Sequence, residues 1–163
     1  MTLTTDQALT FKTALFAETD PTLVSLRTNG QTTLIRDWYN APDPLNYIIW
    51  KPSVTQDEIM QNGMDWTRVD NLSVGKSRIW EWMFSNQQRT INPSKSNVRA
   101  GIDAVWVGTA ADLAVRDAVY VHCKKIASRI DKIFATGAGT TLSPSVALNI
   151  TLSEQDIITA LNP

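Results

Sequence analysis

Gly75, Lys76 and Ser77 follow one another in the stretch 72–84, "LSVGKSRIWEWMF", the order that closes a phosphate-binding loop. Such a loop needs a second glycine five positions earlier, so that successive backbone N–H groups can curl around phosphate oxygens. That position holds Asp70, whose carboxylate repels phosphate, and the preceding "MDWTRVDN" is polar and turn-like rather than an apolar strand. Nucleotide binding is therefore not expected here. The tryptophans that follow Ser77 need another explanation.

Other reactive side chains are few. His122 is the one histidine and Cys123 the one cysteine, and they are adjacent. In a helix neighbouring residues point about 100° apart, so a thiol–imidazole pair is not set up, and the spacing favours Cys123 inside and His122 near the surface. With no Gly-x-Ser-x-Gly, a serine nucleophile lacks its elbow as well as its base. Asp57, Glu58, Asp65 and Asp70 are the nearest thing to an acidic constellation. Glu58 is better used reaching back to cap a helix from Thr55, with Asp57 favouring the same N-terminus. No spacing suits a metal. The sequence reads as a non-enzyme with no catalytic, cofactor or metal residues.

Two groups of side chains point instead to partners. Lys125, Arg129 and Lys132 fall at i, i+4 and i+7, with Lys124 beside them, and on a helix they form one cationic face for DNA or an acidic partner, or simply a solvated face complementing the helix dipole. Arg78, Trp80, Trp82 and Met83 have the composition of interface anchors. Trp80 and Trp82 face different sides of one helix, so one fills the core and the other awaits cover from another segment or chain.

The whole chain has 163 residues, a net charge of −1 and 19% charged residues. Its length suits one domain with a real core. The low charge suggests a surface partly covered by partners, and the near-neutral balance argues against a general nucleic-acid binder. A lone cysteine rules out an internal disulfide and fits a reducing cytoplasm. Neither a signal peptide in "MTLTTDQALTFK" nor a membrane span is expected.

The elements that must carry these residues are mostly helical. Thr4 with Gln7, Thr55 with Glu58 and Thr109 with Asp112 read as capping boxes, Asp20-Pro21 as a cap with Pro at the first helical position, and Ser73 and Ser153 as further caps. "TTLIRDWYN" reads as a short helix and "LNYIIWKP" as an extended connector. Asn92-Pro93 opens a helix ended by Gly108. Val115, Val119, Ile126, Ile130, Ile133 and Phe134 suggest one long helix at about 110–135, spanning about 39 Å. After a glycine-containing stretch, Val146, Leu148, Ile150 and Leu152 alternate like a strand with no evident partner. The expected fold is mainly α: a helical bundle around the long helix, with an extended C-terminal arm holding a short strand. The expected domains are a helical body at 1–137 and an arm at 138–163 ending in a short helix.

Five segments, "DWYNAPDP", "IIWKPSVTQDEI", "VDNLSVGKSRIWEWMF", "INPSKSNVRAGIDAVW" and "ATGAGTTLSPSVALNITLSEQDI", together resemble small virion proteins of tailed bacteriophages encoded near the capsid genes. The resemblance covers most of the chain and is best with the head-to-tail connector, or adaptor, class. It implies a homo-oligomeric ring of about a dozen copies. The ring would lie in the virion neck, join portal to tail or neck proteins, line the DNA passage with non-specific DNA contact, and be assembled in the host cytoplasm. It implies no catalysis, cofactor or membrane contact. A capsid-associated or decoration protein and another neck or tail-completion protein remain alternatives. The candidate partner interface is Arg78, Trp80, Trp82, Val146, Leu148, Ile150 and Leu152. On this reading, deleting 139–163 spares the body and abolishes assembly.

Overall fold

The computed structural model describes residues 3–61 and 63–162. The chain is 55% helix and 9% strand, with ten helices among the described residues. It forms two compact units, one made of the chain up to Ile49 and again from Ile126, the other of Trp50–Lys125. No helix among the described residues is long and apolar enough to cross a membrane.

The discontinuous unit begins with α1 (Thr5–Ala17), α2 (Pro21–Thr28) and α3 (Thr32–Asn40). Thr4 and Gln7 close the expected capping box, and the Asp20 carboxylate accepts from the N–H groups of Thr22 and Leu23 beside Pro21. Phe11, Leu15, Leu23, Ile35 and Tyr39 are buried together with residues from the far end of the chain: Ile130, Leu152, Ile157 and Ala160. Phe11 meets Tyr39 edge-on at 5.0 Å between ring centroids, the arrangement that ring quadrupoles favour.

β1 (Ile48–Trp50) pairs with β4 (Lys124–Ile126), and the chain passes from one unit to the other within these strands. The continuous unit holds β2 (Val54–Thr55), α4 (Gln56–Gln61), α5 (Trp66–Asp70), α6 (Val74–Met83), β3 (Thr90–Ile91), α7 (Ser96–Val105) and α8 (Ala110–His122). β2 and β3 are antiparallel, with Val54 opposite Ile91 and Thr55 opposite Thr90. Trp80, Phe84, Ile102, Val105, Trp106, Val115 and Val119 form its core, in which Trp80 stands edge-on to both Phe84 and Trp106.

The single helix expected at 110–135 is not what the chain builds. α8 stops at His122 with Cys123 as its C-cap, β4 follows, and a separate α9 (Arg129–Ile133) restarts the helical path. Two forces, one local and one long-range, make the break. Ser128 and Asp131 close a capping box, which nucleates a new helix start, and strand-like bonds take the backbone away from the helix, with Lys51 N–H donating to Cys123 O and Ala127 N–H to Tyr47 O. An apolar stripe at helical spacing runs through the interruption because both α8 and α9 bury one face.

The C-terminal arm also needs correction. Residues 145–152 make no strand, only isolated bridges of Ser145 with Ile49 and Val146 with Thr136. Asn149 at φ 53° turns the chain left-handed and breaks the alternation. The backbone groups that seemed to need an outside partner find one at home. The Asn40 amide donates to Leu152 O at 3.0 Å and accepts from Leu152 N–H at 2.9 Å, copying a strand's double bond with a side chain. Asp131 accepts from Ile150 N–H at 3.1 Å. α10 (Glu154–Leu161) then packs on α1 and α3, its start closed by Ser153 and Asp156. Asp156 also accepts from Leu3 N–H at 3.1 Å, fastening the two ends of the chain together. The body at 1–137 with a separate arm at 138–163 is thus not the division the chain makes: the segment from Ile126 onward belongs to the same unit as α1–α3.

Candidate functional site

The Gly75-Lys76-Ser77 stretch lies inside a helix. Ser73 caps α6 by accepting from Lys76 N–H, so Gly75, Lys76 and Ser77 occupy its first turns, and α5 precedes them where a P-loop has a strand. Lys76 Nζ donates to Val107 O at 2.9 Å, which ties α6 to the end of α7 instead of presenting the amine to a ligand. The carboxylates are similarly employed. Glu58 accepts from Thr55 N–H at 2.7 Å while Thr55 Oγ1 accepts from Glu58 N–H, and these bonds hold the Glu58 carboxyl below its ordinary pKa. Asp65 caps α5 by accepting from Thr67 and Arg68 N–H. Among the described residues, no group of three or more His, Cys, Asp or Glu converges as a metal site.

Cys123 is fully buried, and burial pushes its thiol up to about 12. A thiol is reactive only as thiolate, so this one is inert in the folded chain. A disulfide reagent at pH 8 will leave the native protein unlabelled, and the thiol will titrate fully once denaturant unfolds it. Rapid labelling of native protein contradicts the burial.

The cationic trio does not share a helix face. Lys125 lies in β4, whereas Arg129 and Lys132 lie in α9. The Arg129 guanidinium stacks 4.2 Å from the centroid of Trp38 and donates to Trp38 O at 2.9 Å. Lys132 pairs with the buried Asp43 at 3.0 Å. Both are therefore spent on holding α9 against α3 and the turn after it. They line a pocket of about 420 Å³ with Trp38, Tyr39, Leu45 and Ile133, and with Glu18 and Asp20. The Tyr39 hydroxyl is buried and has no hydrogen-bond partner among the described residues, and burial raises its pKa. Nothing in the local sequence marks this pocket, because its walls come from three separated stretches.

The candidate interface residues part company. Trp80 is in the core and Leu152 is 2% exposed, so neither is available to a partner. Ile150 packs partly buried against the discontinuous unit's core, while Val146 and Leu148 are exposed. On α6, by contrast, Val74 is 72% and Trp82 78% exposed, and Arg78 and Ile79 are exposed between them. The intervals i, i+4, i+5 and i+8 put these four on one side of the helix. The two tryptophans two residues apart thus divide as the helical period requires, Trp80 inward and Trp82 outward. The Arg78 guanidinium has no carboxylate partner among the described residues.

No protein-family model, curated protein or solved structure matches this chain.

Proposed function

We propose that this protein is a non-catalytic structural subunit of a tailed-phage virion, a head-to-tail connector whose copies form a ring between portal and tail. Resemblance of the five quoted segments to that class of small virion proteins supplies the class. The observation that carries the assembly role is the α6 face, where a tryptophan, an arginine and two aliphatic side chains stand in water together. An exposed tryptophan beside an arginine with no carboxylate partner among the described residues is costly to keep on a lone subunit's surface and is the composition that anchors interfaces.

A second reading, a capsid-associated or decoration protein or another neck component, is favoured by the C-terminal segment. Leu152, Ile157 and Ala160 are consumed in the chain's own core, which leaves residues 150–161 no freedom to reach a portal as an arm. Copy number per particle separates the two: about a dozen for a ring, many more for a shell component. Native mass spectrometry and particle averaging of the purified protein, with and without portal protein, test the first reading. A closed ring of about a dozen chains is the expected result, and a monomer in both conditions rejects it.

A further inference from the structure

The exposed face on α6 and the pocket of the discontinuous unit lie on parts of the chain with opposite formal charge. Trp50–Lys125 carries ten of the fifteen Lys and Arg but eight of the sixteen Asp and Glu, a formal +2, whereas the rest of the chain carries five cations and eight carboxylates, a formal −3. The knob sits on the cationic unit. The hole sits on the anionic one. A pocket of about 420 Å³ is in the range that takes a flat organic group, roughly 300–1,000 Å³. Its apolar walls, Trp38, Tyr39, Leu45 and Ile133, suit an indole, and its two cations are already engaged, Arg129 on the Trp38 ring and Lys132 with Asp43.

The carboxylates at the pocket are not equivalent. Asp43 is committed to Lys132, and Asp20 caps α2. Glu18 uses Oε1 to accept from Thr19 and Asp20 N–H, and no ion pair of Glu18 occurs among the described residues, so its second oxygen is the one left to meet an incoming cation. Arg78 stands one helical turn from Trp82, about 5–6 Å away between Cβ atoms, and reaches the rim when the indole enters.

We propose that Trp82 of one copy inserts into the pocket between Trp38 and Ile133 of the next copy, with Arg78 pairing to Glu18 at the rim. The inference deepens the ring reading and rests on it. Knob and hole are different surfaces of one chain, so the contact is head-to-tail, the kind that forms a ring when the rotation from copy to copy closes and a filament when it does not. A self-paired α6 face is disfavoured because a two-fold axis there brings Arg78 against its own copy.

The test uses the full-length chain and its concentration-dependent mass. Trp82→Ala should weaken self-association about thirtyfold, the loss typical of a buried tryptophan anchor. Arg78→Glu and Glu18→Arg should each weaken it, and the double variant should recover most of the loss, a rescue that a merely structural role does not produce. Melting curves of each variant separate lost docking from lost fold. A photo-reactive phenylalanine at position 82 leaves the pocket unaltered and should crosslink to residues 38–45 or 129–133 of another copy. If the wild type forms rings and Trp82→Ala forms them equally well, the docking is wrong and the ring reading stands. If the crosslink lands on the portal or on another protein, the docking is again wrong. A wild type that stays monomeric with and without portal removes both.

Discussion

Deleting residues 139–163 will unfold the discontinuous unit rather than release a dispensable arm. The deletion takes Leu152, Ile157 and Ala160 out of a core that they share with Phe11, Leu15, Ile35 and Tyr39. Each Leu or Ile lost from such a site costs about 2–5 kcal/mol, and whole domains are stable by only about 5–15 kcal/mol. It also removes the backbone of Leu152 and Ile150 from the Asn40 amide and from Asp131 Oδ1, which hold it in place. Circular dichroism should show the cooperative melt of this unit gone, and Leu152→Ala alone should cost about 2–5 kcal/mol. A truncated chain melting at the wild-type temperature would return the segment to the status of an arm. The same junction is acid-sensitive. Burial raises the Asp156 pKa, but hydrogen bonds from the hydroxyl and N–H of Ser153 and from Leu3 N–H outweigh it and bring the carboxyl below its usual 3.8. Its stabilisation is present above the unfolded carboxyl's pKa and is lost as pH falls through the lowered one.

Trp106→Ala should destabilise the continuous unit by about 3–5 kcal/mol, the cost of emptying a fully buried tryptophan site. Trp106 is 0% exposed and edge-on to Trp80 at 5.4 Å between centroids, so the substitution also removes an aromatic pair. Trp106→Phe is the informative partner. The indole Nε1 is buried without an acceptor among the described residues, and phenylalanine removes that orphan donor while keeping an aromatic ring. Its penalty should be well under that of alanine, as read from urea midpoints with an unchanged slope. Equal penalties for both substitutions would mean that Nε1 finds a bonding partner after all. Trp82→Ala, by comparison, removes an exposed ring and should leave the melting temperature of the isolated chain nearly unchanged.

The helix starts were legible because each is decided within four residues. Thr4–Gln7, Thr55–Glu58, Thr109–Asp112 and the caps at Asp20, Ser73 and Ser153 are short-range bonds between a side chain and nearby N–H groups, and the residue types announce them. The division of Trp80 from Trp82 was legible for a similar reason, since the helical period alone turns them apart. Even the decoy was readable: Asp70 in place of a glycine, with no strand before it, excluded a phosphate loop before Lys76 was seen donating to Val107. The break at 123–128 has one local signal, the Ser128–Asp131 capping box, but it is masked by an apolar stripe that looks the same in one helix or in two that each bury one face. What decided it was Cys123 O and Ala127 N–H finding Lys51 and Tyr47 far away in the chain. The fate of 146–152 was decided in the same way. Alternating apolar residues announce an extended segment, but its partner is a side chain 112 positions distant, Asn40, and only the packing of α10 on α1 and α3 brings it there. The pocket of Trp38, Tyr39, Glu18 and Arg129 likewise exists only in three dimensions. Local hydrogen bonds and periodicity are properties of neighbouring residues and can be read in order, whereas which distant groups satisfy a buried backbone depends on how the whole unit closes.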